Sequence, residues 1–124
     1  MLFVACLVRP ASNSVAALAF CIAIGYIGAS LFPCDPGSPL SGTPRQAFHN
    51  LAGAVEYIGG GFALMDIARD FGPPFRLAGF VVLAAAIGLS IVPASAGRGI
   101  LQRAAELCLF GGLALAAWRL VPAA

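Results

Sequence analysis

Charge is scarce in this chain. Seven basic residues, five acidic ones and a single histidine are spread over 124 residues, so 10% of the chain is charged. The formal net charge of +2 is too small for a protein that grips nucleic acid. No basic run is present to hold an anionic lipid surface. Met1–Val8 is apolar but has no basic residue before it, and Arg9 follows it. That order is the reverse of a secretory signal peptide. Val4-Ala5-Cys6 has the residue types of a lipoprotein cleavage site but stands too near the start to follow a hydrophobic core. The chain also has no C-x-x-C, so a thiol-oxidoreductase mechanism lacks its pair. Cys6, Cys21 and Cys108 sit in apolar stretches as small hydrophobes; Cys34 stands in a loop. The apolar segments run on without the strict alternation of a transmembrane barrel.

Hydrophobic residues make up 60% of the sequence, and the mean hydropathy is +0.95. These values describe an integral membrane protein. A helix needs about 20 apolar residues to cross the hydrocarbon. Four runs meet that length, at about 14–32, 46–67, 75–92 and 101–120. All nine prolines lie at run ends or between runs, where proline does no harm to a helix. The expected fold is all-α: a single transmembrane domain over residues 1–124, built as a four-helix antiparallel bundle with short connections. Met1–Val8 is expected to be a helix fragment or an interfacial segment.

Arg9, Arg69, Arg76 and Arg119 fall on one side of such a bundle, and Arg45, Arg98 and Arg103 on the other. The positive-inside rule then places both termini in the cytoplasm, with a bacterial inner membrane as the expected location. Trp118 and Arg119 end the last run as an interfacial anchor. Asp66, Arg69 and Asp70 close the second run as solvated charges. Small residues recur every fourth position at Ala17, Cys21, Gly25 and Ala29, and at Ala104, Cys108, Gly112 and Ala116. Residues four apart share a helix face, and such stripes let helices approach closely in lipid. Gly25, Gly53 and Gly112 are therefore the expected packing positions.

Glu56 is the most informative single residue. It lies about 10 Å beyond His49 along one helix, near mid-bilayer, where an ionisable group is costly unless paired, hydrated or protonated. Two readings stand side by side: a proton, cation or ligand site, or a carboxyl neutralised by protonation or bonded to a neighbouring helix. In α-helical projection His49, Gly53, Glu56 and Gly60 share a face. The fourth run begins on the same side of the membrane and carries Arg103 and Glu106, spaced to pair. Asp35, His49, Glu56, Arg103 and Glu106 thus form one candidate ligand or assembly site. Set against it, Arg103 and Glu106 read as a helix-end ion pair and His49 as a helix cap. Cys34, Asp35 and His49 have residue types that suit zinc or copper, but Pro33 and Pro36 around them read equally as a rigid turn. Cys34 and His49 are thus weak metal candidates. His49 is the one histidine able to serve as a haem axial ligand. The residues do not specify whether pigment, haem or quinone binds, nor the oligomeric state.

Phe32-Pro33-Cys34-Asp35-Pro36-Gly37, followed by His49 opening the next helix, resembles the DUF998 family of multi-span membrane proteins. Gly99-Ile100-Leu101-Gln102-Arg103 resembles the stretch leading into that family's last helix. The resemblance covers about residues 14–120. It implies that Pro33, Asp35 and His49 are family features and that the first loop faces outward. It also implies about six spans, so that Met1–Pro10 would be the end of an earlier pair, or another polypeptide would supply the missing contacts. The family implies little about activity.

The function expected is a non-enzymatic multi-pass protein: an accessory or assembly subunit of a larger membrane complex, or a lipid-binding bundle. Its partners would be membrane lipid and other membrane subunits. The alternative is a small proton-coupled transporter using Glu56. In outline that resembles the small multidrug-resistance exporters, although their glutamate lies in the first span. An enzyme has least support, because no nucleophile–base pair or cofactor fingerprint is present.

Overall fold

The computed structural model describes residues 12–121. Helix α1 spans Asn13–Leu31. It starts where the Ser12 hydroxyl accepts a hydrogen bond from the Val15 amide at 3.3 Å, satisfying one of the free amides of the first turn. It stops at Phe32, just ahead of Pro33. Helix α2, Pro44–Ala54, begins with Pro44 in its first turn and Thr43 as its cap. A π-helical turn, Val55–Gly59, joins it without a break to α3, Gly60–Phe71. Helix α4, Pro73–Ile91, follows after Gly72 alone, whose φ of 96° is a conformation that favours glycine. Helix α5, Ala96–Leu120, opens on Ser95, whose hydroxyl accepts from the Arg98 amide.

Helix α5 begins well before its apolar run: Ala96 opens it, whereas the run starts near 101, and α2 and α4 start two residues early, each on a proline. Caps and first-turn prolines set a helix start; hydrophobicity sets only what the bilayer covers.

Among the described residues, four rods are long and apolar enough to cross a membrane: Asn13–Leu31, the 28-residue Pro44–Phe71, Pro73–Ile91 and Ala96–Leu120. The protein is an all-α integral membrane bundle whose successive spans run antiparallel. The expectation for Met1–Val8 lies outside the described residues.

The two ends of the bundle differ. At the end holding the start of α1, the α3–α4 turn and the end of α5, side chains fill the interior. Leu18 and Ile22 of α1, Leu64 and Ile67 of α3, Phe75 and Val82 of α4, and Leu109 of α5 are all buried there. Helices α3 and α4 meet backbone to backbone. A Cβ added to Gly79 would lie 2.9 Å from the Gly61 carbonyl oxygen. At Gly112 an added Cβ would strike the side chain of Leu64, 2.6 Å away. These small residues are engaged inside the chain. Outward, Leu31, Leu77, Ile87 and Leu107 are exposed, as expected of side chains that face acyl chains. Exposed Trp118 stands beside Arg119, which donates to the Phe71 carbonyl at 2.6 Å and lies over the Phe75 ring. Arg69 pairs with Asp66 at 3.2 Å on the surface.

Candidate functional site

The other end of the bundle is hollow. A cavity of about 330 Å³ lies between the last turns of α1, the first turns of α2, the π turn, the last turns of α4 and the first turns of α5. Spacing on α5 explains its polar wall. Arg98, Gln102 and Glu106 recur every four residues, so they share one face, and all three line the cavity. Opposite them stand His49, Asn50 and Gly53 of α2, with Glu56 and Tyr57 of the π turn. Helix α1 contributes Gly25, Tyr26 and Ala29, and α4 contributes Ala86, Leu89 and Ser90.

The loop between α1 and α2 roofs this cavity through Ser38 and Leu40. Its shape is fixed by side chains bonding backbone. Asp35 Oδ2 accepts from the Thr43 amide at 2.8 Å, and its Oδ1 accepts from the Thr43 hydroxyl at 2.9 Å and from Arg45 at 3.1 Å. The Thr43 amide, helped by the Thr43 hydroxyl and Arg45, outweighs burial and holds the Asp35 carboxyl below its ordinary range. Gln46, fully buried, accepts from the Asp35 amide at 2.7 Å and donates to Asn50 Oδ1 at 2.8 Å. Asn50 in turn donates to the Leu40 carbonyl at 3.0 Å. Arg98 donates to the Ser38 carbonyl at 3.0 Å. His49 Nδ1 lies 3.0 Å from the Phe32 carbonyl; a carbonyl only accepts, so this nitrogen carries the proton.

Glu56 lies at the deep end. It is 6% exposed, and its Oε1 has no hydrogen-bond partner among the described residues. Its side chain crosses the backbone of α1 at Gly25. A Cβ added there would come within 2.5 Å of Glu56 Cβ and 2.7 Å of Glu56 Cδ. Gly25 therefore makes room for the carboxyl. His49, Gly53 and Glu56 line the cavity, and Gly60, one turn deeper, packs against Leu109 and Leu18 beneath it. The π turn that carries Glu56 takes one residue more than the α turn it replaces.

The five residues singled out in the sequence thus separate. His49, Glu56 and Glu106 face one cavity. Asp35 is a roof residue engaged with Thr43 and Arg45. Arg103 is exposed and does not line the cavity; Glu106 accepts from Gln102 at 3.1 Å instead. An added Cβ at Gly53 would meet nothing nearer than Tyr57 at 4.0 Å, so Gly53 widens the cavity. Arg98, Gln102 and Asn50 are the site residues that sequence reasoning passed over. The four-residue repeat 98, 102, 106 was the available signal. Cys34 is exposed in the loop. Among the described residues no group of three His, Cys, Asp or Glu side chains is placed to hold a metal ion.

Four apolar spans around a cavity with a polar wall define a multi-pass integral membrane protein. The chain belongs to the family described as protein of unknown function (DUF998), whose model matches residues 1–119. No curated protein and no solved structure matches it.

Proposed function

We propose that this chain is a non-enzymatic multi-pass membrane protein that binds a small amphiphilic ligand, membrane lipid included, in the cavity under the Phe32–Thr43 loop. The observation that carries the reading is Glu56: a carboxyl buried among helices, with an oxygen that no described residue bonds, at the end of a cavity large enough for more than water. Burying a polar group without a partner costs a few kcal/mol, and a ligand that donates to it recovers that cost. Native mass spectrometry of the protein, taken from its own membrane in mild detergent, tests this. A defined small molecule retained by the chain and lost from Gly53→Leu, which fills the cavity, supports the reading. A stoichiometric protein partner with no retained small molecule overturns it in favour of an accessory subunit.

A second reading, proton-coupled transport, is supported by the same unpartnered carboxyl on a π turn, because π turns are points where a helix changes register. In proteoliposomes it predicts proton-linked solute flux that Glu56→Gln abolishes. Unchanged flux in that variant ends the idea.

A further inference from the structure

The deep end of the cavity has a definite chemical sign. Glu56 and Glu106 both face it. Tyr26 and Tyr57 line the same region, and aromatic rings attract cations. The other charged and titratable neighbours sit toward the roof. Arg98 donates to the Ser38 carbonyl, about 12 Å along α5 from Glu106 by helix rise. His49 is turned to the Phe32 carbonyl. Glu106 already accepts from Gln102, whereas Glu56 Oε1 accepts from no described residue. An ionised Glu56 lacks a hydrogen-bond donor, and two ionised carboxyls favour one that carries positive charge. A metal ion fits poorly, since no third His, Cys or acidic side chain joins the pair among the described residues.

We propose that Glu56 and Glu106 form an ammonium site, which takes the protonated primary or secondary amine of the ligand, with an N–H directed at the Glu56 carboxyl. This rests on the cavity being a ligand site. The amine comes from one of two sources: a free organic amine, or the headgroup of an aminophospholipid whose acyl chains stay in the bilayer. An ammonium without N–H groups satisfies the charge but donates nothing to the Glu56 carboxyl, so quaternary amines bind more weakly than primary ones.

The test is calorimetric titration of the full chain in nanodiscs of phosphatidylcholine. The probes are benzylamine, its neutral counterpart benzyl alcohol, and benzyltrimethylammonium. Saturable binding of benzylamine, at least tenfold tighter than benzyl alcohol, is expected. Glu56→Gln should weaken it at least tenfold and Glu106→Gln less. Each variant is first checked for an unchanged melting curve without ligand. If Glu56→Gln does not fold, Glu106→Gln and the two comparison probes still decide. Adding phosphatidylethanolamine to the nanodisc separates the sources: competition with benzylamine assigns the headgroup, and no competition assigns a free amine. Equal binding of amine and alcohol overturns the ammonium site, as does full amine affinity in either glutamine variant. So does failure of both benzylamine and phosphatidylethanolamine to bind. If native mass spectrometry then finds a neutral or anionic molecule in the cavity, the binding function stands without the ammonium site. An empty cavity removes both.

Discussion

Asp35 and Glu56 are both buried carboxyls, and they are opposites. Asp35 accepts three hydrogen bonds and is a structural anchor for the roof; Glu56 has an oxygen that accepts none. Because the folded carboxyl of Asp35 sits below its ordinary value of 3.8, its contribution is present above that value and is lost as pH falls toward the folded pKa. Acid should therefore loosen the loop before the apolar spans separate. Hydrogen exchange at the Thr43 amide should accelerate below the ordinary carboxylate range, and Asp35→Asn should exchange fast at neutral pH already. Unaltered exchange in that variant would show that Gln46 and Asn50 hold the roof unaided. Glycines give a second check. Gly25→Ala drives a Cβ into Glu56 and should lower the melting temperature. Gly111→Ala, which meets nothing within 4 Å, should be neutral or stabilising by up to about 1 kcal/mol. At this scale the sequence reveals what chemistry alone makes costly. An acid within an apolar run needs no geometry to be noticed, which is why Glu56 was legible. Arg98 precedes the apolar run of its helix and Gln102 stands in that run's first turn, so both look like any polar helix start. Their role depends on α5 lying opposite α2, which no local pattern encodes.

Among elements, the span Pro44–Phe71 matters most, because its π turn carries Glu56 to the cavity. The apolar run showed that a helix crosses here, but a π turn leaves no mark in hydropathy. Gly60, expected on the face of His49, lies below the cavity against Leu109 and Leu18. A π turn carries one residue above α-helical count, so a chain lacking Glu56 can close it to an α turn with both flanking helices in place. That deletion should keep its helix content and cooperative melting while losing ligand. Deleting Ala63 instead, within the regular α3, turns one half of the span by about 100° relative to the other. It should remove Leu64 and Ile67 from the core and abolish a cooperative melt. If both deletions behave alike, the π turn is not the site of adjustment. Caps act on the same scale. Thr43→Ala and Ser95→Ala should each cost about 1 kcal/mol through the lost first-turn bond, and Thr43→Ala more, since that hydroxyl also bonds Asp35. Chemical denaturation in detergent would measure both.

For the molecule as a whole, antiparallel spans place the Phe32–Thr43 loop and the α4–α5 connection at one face and the Gly72 turn at the other. The cavity thus belongs to one leaflet. Which one follows from arginine placement. Among the described residues Arg69, Arg76 and Arg119 mark the Gly72 side, against Arg45, Arg98 and Arg103 on the cavity side; only the sequence expectation for Arg9 tips that balance toward the Gly72 side. Basic residues near span ends stay in the cytoplasm, so the cavity half should face outward, where a ligand arrives from outside the cell or from the outer leaflet. Four arginines against three is a small bias, and the arrangement offers a direct measurement. Cys34 is exposed in the roof loop, while Cys21 and Cys108 are partly buried in the spans. With Cys6, Cys21 and Cys108 replaced by alanine, a membrane-impermeant maleimide should label Cys34 in intact cells. A second protein, lacking all four cysteines but carrying Asp70→Cys beside the Gly72 turn, where residue 70 is exposed, should label only after the membrane is opened. The reverse result would turn the bundle over, put the cavity on the cytoplasmic side, and require its ligand to come from inside the cell.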